Sequence, residues 1–156
     1  MANTMRWRYG DTHPVMMSID ATTVVAIGDL LYVSGGKVKP AGDLASQGTL
    51  AATLEAFHDS FIGVAMQCSP SGSAEAIRVA TSGVFEFECV SATYNVGDLL
   101  GGNDTGAGTL DSQLVDGVAT ANLAIGRCVS KVSPAGTKVL VDVVSTVVKG
   151  GPQVAA

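Results

Sequence analysis

The run Asn103-Asp104-Thr105-Gly106-Ala107-Gly108 contains Asp-Thr-Gly-Ala, the signature of retroviral-type aspartic proteases. In such enzymes two chains each lend one aspartate to a pair that shares a proton, because two like charges in contact cannot both ionise. Asp104 would be that aspartate in a homodimer, and Ala124-Ile125-Gly126-Arg127 looks like the glycine-containing strand that supports it. The spacing argues otherwise. Gly101-Gly102-Asn103 precedes Asp104 where a buried hydrophobic strand is needed, and only 22 residues lead from Asp104 to Gly126, too few for a flap and its strands. The same glycine-rich run resembles one turn of a calcium-binding β-roll, but such sites need stacked copies. His58-Asp59-Ser60 has the residue types of a hydrolytic triad, yet neighbours on a helix point in different directions. His13, ahead of Pro14, reads as a loop residue. Cys68, Cys89 and Cys128 are odd in number and lack a C-x-x-C pair, so they read as buried thiols rather than zinc ligands or disulfides. Glu86 and Glu88 read as the solvated side of a strand. These residues point to no catalytic group, no metal and no cofactor.

The elements that must position them are mostly β. The chain of 156 residues is 47% hydrophobic but only 15% charged, against about 25% in an average protein. Its valines cluster between glycine-rich turns, which favours strands. Net charge is −5, which argues against a broad nucleic-acid surface. The apolar runs are too short to span a membrane, and the first ten residues lack the apolar stretch of a secretory signal. Synthesis in a reducing cytoplasm is the expectation.

Residues 1–21 read as an N-terminal arm, with Arg6, Trp7, Arg8 and Tyr9 as its candidate anchors because Arg and aromatics dominate interfaces. Thr22-Thr23-Val24-Val25-Ala26-Ile27, then Leu30-Leu31-Tyr32-Val33, then Lys37-Val38-Lys39 are strand candidates. Leu50, Leu54, Phe57 and Phe61 recur at helical spacing, predicting one short helix over 48–61, capped by Ser46 or Thr49 and ended with the help of Gly63. Phe85, Phe87 and Cys89 alternate with Glu86 and Glu88, the pattern of a half-buried strand.

A repeat organises the rest. Gly28-Asp29-Leu30-Leu31 returns as Gly97-Asp98-Leu99-Leu100, Ile62-Gly63 as Ile125-Gly126, and Pro70-Ser71-Gly72 as Pro134-Ala135-Gly136. After each Pro-x-Gly, Ile77 and Val79 align with Val141 and Val143, and Arg78 falls opposite Asp142. Apolar positions are kept while the charge is not, which marks repeated packing. Gly28, Asp29, Gly97, Asp98, Gly63 and Gly126 are therefore structural-turn residues. The expected product is a single mainly β domain over 22–151, a compact β-barrel or β-sandwich of two similar halves (about 22–80 and 94–148), with a flexible tail at 152–156.

Four stretches carry a resemblance: residues 57–65 (FHDSFIGVA), 77–89 (IRVATSGVFEFEC), 94–102 (YNVGDLLGG), and the passage from Ile125-Gly126-Arg127 to Gly150-Gly151. In order and spacing they resemble the small capsid decoration, or cement, proteins of tailed bacteriophages, from about Thr22 to Gly151. That resemblance implies a compact β-barrel or sandwich on the outer surface of the phage head. It implies assembly as a homotrimer that binds the major capsid protein and bridges its subunits, without catalysis, cofactor, nucleic acid or membrane. Alternatives are another head, neck or tail accessory subunit and, more remotely, the Asp104-Thr105-Gly106 protease. A small-molecule-binding barrel would need convergent polar groups that the sequence lacks.

Overall fold

The computed structural model describes residues 3–153. Along the chain lie β1 (Trp7–Tyr9), β2 (Val15–Met17), β3 (Leu30–Ser34), β4 (Lys37–Pro40), α1 (Leu50–Ser60), β5 (Phe61–Ala65) and β6 (Ile77–Ala80). There follow β7 (Ser82–Tyr94), β8 (Leu99–Asp104), β9 (Leu110–Gly117), β10 (Gly126–Cys128), β11 (Val132–Val144) and a single-turn helix α2 (Thr146–Lys149). The mainly β expectation holds, and it resolves to a barrel. Strands β7-β11-β10-β8-β9 follow one another by antiparallel pairing, and a parallel contact of β7 with β9 (Glu88 opposite Leu114, Cys89 opposite Val115) closes the ring. Closure removes the free edges that an open sheet would expose.

The first half has the same plan. Its strands run β2-β6-β5-β3-β4, and the Val38 N–H in β4 donates to the Ser18 carbonyl just after β2 (3.0 Å). Four successive antiparallel steps leave β2 and β4 parallel, as β7 and β9 are. Between β4 and β5 lies α1, and between β9 and β10 a 3₁₀ turn, Ala121–Leu123. The repeat therefore begins at β2, earlier than the boundary expected at residue 22.

Residues 3–21 accordingly belong to the fold instead of forming a free arm. β1 adds to the edge of β7, with Trp7 opposite Phe85, and β2 pairs with β6, with Met16 opposite Arg78. The physical reason is legible: Val15, Met17 and Ile19 alternate as in a half-buried strand, and Ile19 is buried. Residues 1–2 lie outside the described chain, as do 154–156 of the expected tail. Within that tail Pro152 is buried and the Gln153 carbonyl accepts from Arg127 Nη2, so its first residues are held in place.

Two cores result. Val25, Leu31, Val38, Ile62, Ile77 and Val79 fill the first half. Phe57, Phe61, Phe85, Phe87, Leu100 and Val141 are among those that fill the second and its seam with the first. Each such side chain, fully buried, contributes about 1.5–3 kcal/mol. α1 starts at Thr49, whose side-chain oxygen accepts from the Ala52 N–H (3.1 Å), and it buries Leu54 and Phe57 while Leu50 faces solvent.

Three local expectations change. Gly63 does not end α1, because the chain passes from Ser60 straight into β5. Instead Gly63 (φ +153°) lies so close to the paired strand β6 that a Cβ would lie 1.8 Å from the Ala80 carbonyl oxygen, and a Cβ on its counterpart Gly126 would meet the Asp142 oxygen at 2.3 Å. Pro134-Ala135-Gly136 makes no hairpin, since it lies within β11 where the register with β7 is bulged. Of residues 22–27 only Val25 pairs, with Ser69. The strands also align two residues from the expected register: Val79 (opposite Ala65) corresponds to Val141 (opposite Cys128).

Candidate functional site

The repeated Gly-Asp segments fold into two turns with the same bonds. In the first, Asp29 Oδ2 accepts from the Ala26 N–H (2.9 Å), and Gly28 takes φ +96°. In the second, Asp98 Oδ2 accepts from the Asn95 N–H (2.8 Å), and Gly97 takes φ +96°. Glycine is required there because other residues avoid positive φ. Each turn is tied to the following repeat strand alike. Gly28 N donates to the Ala65 carbonyl and Ala65 N to the Asp29 carbonyl (both 2.9 Å); Gly97 N and Cys128 N do the same with the Cys128 and Asp98 carbonyls (both 2.8 Å). Turn and strand together are a structural unit used twice.

Their surroundings differ. The first turn is covered by the N-terminal segment. Asn3 Oδ1 accepts from the Ile27 N–H (2.9 Å), the Thr4 N–H donates to the Ile27 carbonyl (3.0 Å), and a Cβ on Gly28 would strike the Thr4 oxygen at 2.5 Å. Beneath this strap runs a buried polar chain. Arg6 Nη2 donates to Gln113 Oε1 (2.8 Å), and Gln113 Nε2 donates to Asp29 Oδ1 (2.7 Å). Arg6 also lies over the Phe87 ring, 5.7 Å from its centre, a cation–π contact. Burial pushes the Asp29 carboxyl up from its ordinary value, against the bonds from Ala26 and Gln113, and pushes the Arg6 guanidinium down. This clasp joins the first half (Asp29), the second (Gln113 on β9) and the strap.

The second turn is open. Asp98 is exposed, Val96 is 68% exposed, and around Gly97 lies empty space. Beside it the far end of the β7–β11 ribbon presents Val90, Ser91, Thr93, Ser133, Pro134 and Ala135, exposed and uncharged. On β1, Trp7 and Tyr9 are also half exposed, Arg8 pairs with Glu86 (3.1 Å), and Arg6 alone of the four candidate anchors turns inward.

The residues that suggested chemistry are dispersed. Asp104 ends β8 at an exposed hairpin, its Oδ1 accepting from the Gly106 N–H (2.9 Å), so its carboxylate shapes the turn. Gly126 sits in β10 opposite Leu100 of β8, while Asp104 lies at the far end of that strand opposite Leu110. His58 is not a free surface residue: its Nδ1 is 2.7 Å from the Ala124 carbonyl. His13 is in a loop with φ +38°, beside Asp11. Cys89 and Cys128 are buried, with thiols pushed up by burial, but Cys68 is exposed, contrary to expectation. Glu86 is half buried and Glu88 exposed on β7. A cleft of about 360 Å³ gathers Arg127, Asp142 and Lys149, yet the Arg127 guanidinium is committed to the Gly97 and Gln153 carbonyls. Among the described residues no three His, Cys, Asp or Glu lie together as a metal would need, and no helix is long and apolar enough to cross a membrane.

Sequence reasoning missed Gln113 and the inward turn of Arg6. Nothing in the sequence marked Gln113: it and Ser112 are buried in β9, and only the fold shows that burial. The fold and site thus define a mainly β protein of two like halves, one of them a closed five-stranded barrel, held by an internal strap, with one open turn. No family model, curated protein or solved structure matches the chain.

Proposed function

We propose that this protein is a capsid decoration subunit, a homotrimer that binds the outside of a phage head and bridges neighbouring copies of the major capsid protein. The observation that carries the reading is the ordered run of motifs from Thr22 to Gly151, whose glycines (Gly63, Gly97, Gly126) occupy positions where the barrel plan needs them. The surface supports it: the exposed apolar residues Trp7, Tyr9, Met16, Val90 and Val96 suit association better than turnover of a small molecule. A trimer gripping several shell subunits reaches strong overall binding from weak single contacts.

The test is the copy number of this chain relative to the major capsid protein in purified virions, with the solution mass of the free protein. Near-stoichiometric amounts and a species three times the 15.8 kDa chain support the reading. A handful of copies places the chain at the neck or tail instead, and absence from the particle overturns the virion role.

A further inference from the structure

β1 is added outside the barrel that β7, β11, β10, β8 and β9 close. It pairs with β7 and with no other described strand, so its outer side is a free edge of the kind through which sheets of separate molecules join. One bond sets the polarity of that edge. The Glu86 N–H donates to the Arg6 carbonyl (2.8 Å), so Arg6 turns its backbone groups towards β7, and the alternate residues Met5 and Trp7 turn theirs outward. Both are also well exposed, at 45% and 40%. The outward carbonyls are nevertheless taken. Arg8 Nη1 donates to both, at 3.4 Å to Met5 and 3.3 Å to Trp7, while Arg8 Nη2 donates to Glu86 Oε1 (3.1 Å). Past the end of the strand the Trp7 indole N–H donates to the Gly10 carbonyl (3.0 Å). The other charges of this region lie inward of the edge: Arg6 is buried, and Lys138 on β11 stands opposite Glu88 on β7.

We propose that Arg8 is a guard that keeps β1 from pairing edge to edge with β1 of a second copy of this chain. In an antiparallel pairing about a two-fold axis at Trp7, each Trp7 N–H needs the Trp7 carbonyl of the other copy. Arg8 already occupies that oxygen, and the pairing would bring two guanidiniums together at the axis. The two carbonyl contacts are long and solvent-exposed, so each is weak, and the charge held over the edge is the larger obstacle. The guard does not depend on the capsid reading, because association is scored against whatever mass the parent chain shows.

Sedimentation equilibrium of the full chain tests it, from micromolar to millimolar concentration. Arg8→Ala is combined with Glu86→Ala, which removes the guanidinium without leaving an unpaired carboxylate, and is compared with the parent and with Glu86→Ala alone. The double variant should associate beyond the parent's mass, about tenfold or more tightly, the effect of recovering the exchanged Trp7 hydrogen bonds. In the associated form the Trp7 amide should exchange with solvent more slowly than in the parent. Glu86→Ala alone, which keeps the guanidinium, should stay at the parent's mass. A double variant that keeps the parent's mass overturns the guard. So does association that leaves the Trp7 amide as open to exchange as before, or equal association from Glu86→Ala alone.

Discussion

The two turns are a controlled experiment in burial, because the same side chain makes the same backbone bond in both. Asp98→Ala removes one bond to the Asn95 N–H at an exposed turn, a loss of about 0.5–1 kcal/mol. Asp29→Ala removes the matching bond to Ala26 and also the buried partner of Gln113 Nε2. A buried hydrogen bond to a charged group adds about 1.5–3 kcal/mol, and part of it is offset because the carboxylate no longer has to be desolvated. The net loss expected at Asp29 is about 2–3 kcal/mol. For a chain of this size 1 kcal/mol moves the melting temperature by about 2–4 °C, so the Asp29 variant should melt roughly 5–10 °C lower and the Asp98 variant roughly 1–4 °C lower. Urea denaturation of both variants at pH 7 checks the difference with no extrapolation in temperature. Equal losses, or a larger one at Asp98, would refute the claim that the clasp sets the cost.

Other outcomes follow from the same geometry. The folded-state value of Asp29 is raised by burial, so between the ordinary value near 3.8 and the raised one the native state holds a proton that the unfolded chain has released. This group's contribution to stability is full below 3.8 and is lost as pH rises through the raised value; Asp29→Asn should remove that slope from urea titrations across pH 4–7, and an unchanged slope counts against it. Gly63→Ala forces β5 off β6 and should cost ~3–5 kcal/mol, as should Gly126→Ala; a melting point within 2 °C of the parent would mean that the strands move apart more easily than the contacts imply. Deleting residues 2–10 unpairs β1 and empties the Arg6 niche, so melting falls, and an unchanged melting curve would return the segment to the status of a free arm. An alkylating reagent should modify Cys68 quickly in the folded protein and Cys89 and Cys128 only on unfolding, as peptide mass mapping would read.

Much of the architecture was legible because it rests on short-range rules. Alternation gave β7, helical spacing and a Thr cap gave α1, and the repeated Gly-Asp-Leu-Leu gave two like halves. What was hidden rests on partners far apart in the chain. Arg6 beside Trp7, Arg8 and Tyr9 looks like part of an exposed anchor, and nothing local says that it pairs with Gln113, 107 residues on. The same holds for Asp29 and Asp98, whose neighbours are nearly identical while one carboxylate is buried and the other open. Glycine after an apolar helix is the common stop signal, and only the close approach of β5 to its partner β6 reveals the other use of Gly63.

The divergence of the halves has a physical logic. Two similar halves each carry a polar turn, and where such a turn is covered its N–H and carbonyl groups cannot be buried unpaired. In the first half the strap supplies those partners from within the chain, and the Arg6–Gln113–Asp29 clasp allows the seam to close over a carboxylate. The second turn, exposed at Asn95, Val96 and Asp98, needs no such cover and water can satisfy it. Internal duplication thereby leaves one turn buried within the clasp and its copy open to solvent.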